Sequence, residues 1–288
     1  MIQEILKRPG PAPSLSDSEV VTIALYQELI GEPREDHFFR LYQRQLRHYF
    51  PGLNERSRYN RRKRDLWSVI PAVRMTLQVV LDTLLQEETA VIDSAPVPCV
   101  SYKRGKASSD FVGKADYGIC SSKAMKYFGF KLHTIVSLTG VVMSFLLTPA
   151  NRYDNQPVVE FLDSFSHHLK RLLGDGAYND AALQHFLEQY RSLQLLAPAK
   201  ANQEPQRSQQ AQKQLNRLRL MCETVNAQLQ EQLHLSKHYA KSTWGAMTRI
   251  AAKLTAHSVG MMVNQLLARP LLHGRLASQL AQSVGIAW

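Results

Sequence analysis

Residues 89–97 read Thr89-Ala-Val-Ile-Asp93-Ser-Ala-Pro-Val97, an apolar, β-branched run broken by a single carboxylate. Before it the apolar residues recur at helical spacing; after it they come in short continuous runs. Ala90–Val97, Phe128–Leu138 and Val141–Thr148 are predicted strands, the last two joined by a hairpin turn at Thr139-Gly140. A helix is expected over 155–169 and a strand at Arg171–Leu173. Next come a helix from Asp180 to Gln189 capped by Asn179, and a strand over Leu193–Pro198. A Gln-rich connection (201–214) leads to helices over 215–235 and 245–268. This order of strands and helices predicts an α/β layered sheet with mixed strand directions.

Working back from Thr89, Leu66, Val69, Ile70, Val73, Leu77, Leu81 and Leu84 mark one long helix. Another is expected over about 35–49, and a first from Leu15-Ser-Asp-Ser-Glu19 to Leu29. In that first helix, a Ser or Asp cap followed by an acid suits the free N–H groups of a helix start. Between residues 34 and 64 lie ten Arg or Lys and three Asp or Glu, which supplies seven of the net +11 charges of the 288-residue chain. The cluster Arg56, Arg58, Arg61, Arg62, Lys63 and Arg64 is expected between helices, with Tyr59 inside it. Such a basic cluster in a helical frame fits contact with DNA phosphates. Residues 1–86 are therefore expected to form an all-helical, basic, DNA-binding domain.

Composition narrows the class. At 44% apolar and 20% charged residues the chain is globular, and its positive balance favours a polyanionic partner. Cys99, Cys120 and Cys222 are scattered, which suits reduced thiols and no zinc frame. No run approaches the length that spans a bilayer, and the opening residues lack a signal-peptide core, so no membrane role and a cytoplasmic location are expected.

Three acids stand where chemistry would use them. Asp93 interrupts the first strand, Asp175 ends a later one in Leu-Leu-Gly-Asp175-Gly-Ala-Tyr, and Glu223 lies on the helix after the Gln-rich connection. A carboxylate at the end of an apolar strand is costly to bury and tends to face an opening, where ligands of α/β sheets bind. Converging carboxylates can hold hard cations. On the Glu223 helix, Leu215, Leu218, Cys222, Val225 and Leu229 form an apolar stripe. Asn216, Arg219, Glu223 and Asn226 form a polar stripe beside it, with Arg219 and Glu223 one turn apart. Asp154 precedes a helix and is expected as its cap, or as support for the site. Lys131 and His133 alternate on a strand and share one face, which could line DNA.

Together, Thr-Ala-Val-Ile-Asp93-Ser-Ala-Pro-Val, Leu-Leu-Gly-Asp175-Gly-Ala-Tyr and Met-Cys-Glu223-Thr-Val resemble the Asp-Asp-Glu core of bacterial insertion-sequence transposases. Four flanking segments resemble the insertion-sequence-982 family more narrowly. They are Leu15-Ser-Asp-Ser-Glu-Val-Val-Thr-Ile, the stretch from Arg47-His-Tyr-Phe-Pro to Tyr59-Asn-Arg-Arg, Phe128-Gly-Phe-Lys-Leu-His133, and Trp244-Gly-Ala-Met-Thr-Arg-Ile-Ala-Ala-Lys. The resemblance covers roughly residues 15–270. Of the Tyr-Arg-Glu-Lys signature of many relatives only Arg219 and Glu223 match, since Asn216 and Gln230 stand at the Tyr and Lys positions. Ahead of Leu15 the chain is short against that resemblance.

The resemblance implies a ribonuclease-H-like mixed sheet with flanking helices over residues 87–275, followed by a tail over 276–288. It also implies that Asp93, Asp175 and Glu223 are the catalytic residues and hold two Mg²⁺ ions, with Mn²⁺ as a substitute. Arg219 and Lys131 join the basic cluster as DNA contacts. The implied partners are double-stranded DNA, both element inverted repeats and target, and further copies of the chain assembled on that DNA at the nucleoid. Two other classes stay open from the residues alone: a catalytically silent DNA-binding protein, and a plain metal-dependent nuclease.

Overall fold

The computed structural model describes residues 12–105, 110–120, 124–163, 169–199 and 208–272. The chain divides into two units: one of residues 1–79 and 229–288, the other of Val80–Gln228.

The second unit holds the sheet. Strand β1 (Thr89–Val100) pairs antiparallel with β3 (Met125–Ser137), and β3 pairs antiparallel with β4 (Val142–Pro149). On its other edge β1 runs parallel to β5 (Arg171–Leu173), which runs parallel to β6 (Gln194–Leu196). The order β4-β3-β1-β5-β6, with three antiparallel strands beside two parallel ones, is the ribonuclease-H-like mixed sheet expected from the sequence. A sixth strand, β2 (Asp116–Cys120), was not expected. It pairs with the Met125–Gly129 end of β3. The hairpin at Thr139-Gly140 forms as predicted, with Gly140 at φ +95°, where a side chain would be strained. The Glu87 carboxylate accepts from the Leu138 and Thr139 amides at 2.6 and 3.2 Å and fastens this turn.

Alternation along the strands assigns the two faces. Ala90, Ile92, Ile135 and Leu172 point into a core shared with α5 (Val158–Asp163) and α6 (Ala181–Arg191), through Val158, Phe161 and Leu187. Val91, Asp93 and Thr134 belong to the opposite face, and there α7 (Gln209–Ala227) makes its contacts with β1 and β3. The cap of α6 is Asp180, not Asn179. Its carboxylate accepts from Ala182 and Leu183 at 3.0 and 3.1 Å, and a negative group at a helix start gains from the dipole as well. Helix α5 begins at Val158, three residues later than predicted; residues 164–168, with His167 and His168, lie outside the described residues. So do residues 201–207 of the Gln-rich connection and the tail 276–288.

The first unit contains α1 (Asp17–Leu29), α2 (Glu35–Tyr49), α3 (Arg56–Asp65), the start of α4 (Val69–Leu85) and α8 (Thr243–Leu266). The capping box predicted at Ser16 is present: its side chain accepts from the Glu19 amide while Glu19 accepts from the Ser16 amide. Two expectations are corrected here. The basic run 56–64 is itself a helix, because Tyr59 and Lys63, one turn apart, both turn inward. Residues 229–272, placed by the sequence with the carboxylates, belong to the helical unit, where Lys253 of α8 forms a buried ion pair with Glu28 of α1. Among the described residues no single helix is long and apolar enough to cross a membrane.

Candidate active site

The parallel pairing of β1 and β5 sets the geometry. Ala90 pairs with Leu172 and Val91 with Leu173, so the same register carried two residues further brings Asp175 level with Asp93. Both then belong to the face on which α7 packs. Asp175 lies just past the end of β5 and begins a short 3₁₀ turn (Gly176–Tyr178), its Oδ1 accepting from the Ala177 amide at 2.8 Å. A side chain at Gly174 would meet Tyr178 at 2.7 Å, so glycine there lets the turn fold back tightly behind the carboxylate.

Asp93 is held at both oxygens. Oδ1 accepts from the Ser94 amide at 2.8 Å and Oδ2 from the Asn226 side-chain amide of α7 at 3.0 Å. Burial pushes the Asp93 carboxyl up to about 6. The negative charges of Asp175 and Asp154 add to the rise, while the Ser94 amide and the Arg219 guanidinium oppose it. Three aspartates thus share one electrostatic neighbourhood. Tyr178 belongs to it as well: its hydroxyl is pushed well up by burial and by Asp154, Asp93 and Asp175, and it has no hydrogen-bond partner among the described residues.

A family comparison assigns the sheet unit to a known domain. Residues 85–242, more than half of the chain, match the transposase DDE domain. The chain belongs to this family. No curated protein matches it. Among solved structures, the Mos1 transposase paired-end complex with left transposon end is similar at 12% identity, with 83% of each chain covered and a TM-score of 0.26. A likeness that loose adds nothing to the strand order described above.

In this transposase DDE domain the charges of Asp175 and Asp154 act on Asp93. Glu223 is exposed on α7, while Leu215, Cys222 and Val225 of the same helix are buried, as their stripe predicted. Among the described residues no three His, Cys, Asp or Glu side chains stand close enough together to hold a metal ion. The donor chemistry nevertheless fits a hard divalent cation beside Asp93. The donors are carboxylate oxygens, and neighbouring negative charge still raises Asp93 despite Arg219.

The remaining site residues are distributed as follows. Asp154 is not a helix cap. Its Oδ1 lies 3.1 Å from Lys131 Nζ, which also donates to the Arg152 carbonyl at 2.8 Å. Lys131 is therefore engaged within the unit and does not present a free charge to DNA. His133 is buried, its Nε2 2.9 Å from the Thr148 hydroxyl, and burial lowers its pKa to about 4, so it stays neutral and cannot line a DNA surface. Arg219 is half-buried and acts on Asp93. In the helical unit Arg56, Arg58, Arg61 and Arg64 are exposed. Lys63 is buried against Glu35, and Arg62 pairs with Asp17 at 2.5 Å, so neither offers a free cation. Sequence reasoning placed Asn226 on the polar stripe of α7 but gave it no role; its contact with Asp93 depends on how α7 docks.

Proposed function

We propose that this transposase binds the terminal inverted repeats of its element, cleaves DNA strands and joins the resulting 3′-OH ends to target DNA. One observation carries the reading: two aspartates made level by adjacent parallel strands, in a transposase DDE domain, with a third acid raising their shared negative charge. Asp93, Asp175 and Glu223 would hold two Mg²⁺ ions, or Mn²⁺ in their place. Bound there, such ions supply activation of an attacking oxygen and stabilisation of a leaving oxygen on a phosphodiester.

The chain's own residues do the rest. Ser94 and Asn226 orient the Asp93 carboxylate, the Ala177 amide orients Asp175, and Arg219 moderates the charge of Asp93. The exposed Arg56, Arg58, Arg61 and Arg64 of α3 would neutralise DNA phosphates. Assembly of several copies on DNA, a nucleoid location in the cytoplasm and membership of the insertion-sequence-982 group complete the proposal. That membership rests on the motifs around Leu15, Arg47–Tyr59, Phe128 and Trp244.

The test is strand cleavage and joining by the full chain on DNA carrying the element's ends, with Mg²⁺ or Mn²⁺. Asp93→Asn, Asp175→Asn and Glu223→Gln should each abolish cleavage and leave end binding intact. Near wild-type cleavage by any one of them removes that residue from the site. Cleavage without joining would make the protein a nuclease, and binding without either a silent DNA-binding protein.

A further inference from the structure

We propose that Asn226 is a positioning residue that fixes the Asp93 carboxylate for cation binding, an inference that rests on the reading of Asp93 as a metal ligand. The contact joins residues far apart in the chain: Asn226 Nδ2 on α7 donates to Asp93 Oδ2 on β1 at 3.0 Å. With the Ser94 amide on Oδ1 at 2.8 Å, each carboxylate oxygen has one donor, so rotation about the Cβ–Cγ bond is blocked. An ionised carboxylate has about four lone-pair sites, so each held oxygen keeps one for a cation.

Adhesion of the helix does not explain an asparagine here. Leu215, Cys222 and Val225 already bury the apolar side of α7. Among the described residues, Asn226 Oδ1 is buried without a hydrogen-bond partner, a cost that an apolar side chain would avoid. The amide is therefore placed for its donor, at the expense of its acceptor. The same turn of α7 carries Glu223, three residues earlier, so one helix bears both the proposed third ligand and the clamp on the first. Groups that hold a metal ligand in place without touching the metal commonly change its affinity by 10–100-fold when removed.

The experiment is a Mn²⁺ titration of the full-length protein, with free Mn²⁺ read by electron paramagnetic resonance. The variants are Asn226→Leu, Asn226→Gln, Asp93→Asn and the double variant Asn226→Leu/Asp93→Asn. Asn226→Leu keeps the branched outline and removes the donor; it should weaken Mn²⁺ binding by about 10–100-fold and leave metal-free DNA binding unchanged. Asn226→Gln, which restores an amide, should recover part of the loss. In the Asp93→Asn background Asn226→Leu should cause no further loss, because its effect passes through that carboxylate. Should the leucine variant fail to fold, Asn226→Ala removes the donor with a smaller side chain and gives the same comparison. Wild-type Mn²⁺ affinity in Asn226→Leu, or an equal loss with and without the Asp93 carboxylate, overturns the role of Asn226 alone. Unchanged Mn²⁺ binding in Asp93→Asn overturns that role together with the reading of Asp93 as a ligand.

Discussion

The helical unit and the sheet unit treat buried charge in opposite ways. In the first, acids and bases are matched: Glu28 meets Lys253 and Arg249, Glu35 meets Lys63, and Asp17 meets Arg62. Burial alone would push the Glu28 carboxyl up, but the Lys253 and Arg249 charges more than reverse this and hold it below the usual range. In the second unit Asp93 faces like charges from Asp175 and Asp154, and its carboxyl is pushed up. Matched charge belongs to architecture. Charge left in mutual repulsion works against the fold, and its retention where β1 lies beside β5 points to chemistry.

The contrast breaks most visibly at Lys253. Lys253→Met leaves Glu28 buried without its ammonium and should cost about 3–5 kcal/mol in urea unfolding; Glu28→Leu/Lys253→Met should recover most of that. A double variant no more stable than the single one would mean that the pair contributes more than its own neutralisation.

At Asp93 the expected change has the opposite sign. With a carboxyl at about 6 in the fold and 3.8 ordinarily, ionisation opposes folding. This group's contribution is most favourable below about pH 4 and is lost as pH rises through about 6, by up to roughly 3 kcal/mol. Asp93→Asn should therefore raise stability at pH 7.5 in metal-free buffer, with the gain vanishing near pH 4. Thermal unfolding at the two pH values reads this directly, and a destabilised variant at pH 7.5 would show that the aspartate is compensated after all.

The smallest effect separates free from matched cations within α3. Replacing Arg58, Arg61 and Arg64 together by Ala should flatten the slope of log DNA affinity against log salt by up to about 3, at about 0.9 per phosphate contact. Lys63→Ala should leave the slope unchanged and lower stability instead. A slope that responds equally to both would place Lys63 on DNA.

Much of the sheet was legible in the sequence because its strands are buried β-branched runs, and the aspartates stood out as the polar breaks in them. Strand β2 was missed for the converse reason: it is a five-residue strand with Gly118 at its centre and Ile119 largely exposed. Helix α3 was missed because its inward positions are Tyr59 and Lys63. No apolar periodicity reveals a buried lysine; only its partner Glu35, on another helix, makes that burial affordable. Lys131 and His133 were correctly paired on one face, but the ion pair with Asp154 and the bond to Thr148 are tertiary facts. Asn226 was visible on the stripe, and its importance came only with the docking of α7 on β1.

The parallel pairing of β1 with β5 also dictates an order of assembly. The antiparallel β1, β3 and β4 all lie within residues 89–149 and can pair once these are made, whereas β5 must return across β4 and α5 before it can lie beside β1. Closing that longer loop is the slower, entropically costlier step. During synthesis Asp93 would therefore be in place on its strand well before Asp175 arrives, and the two carboxylates would come level only once most of the sheet unit had been made.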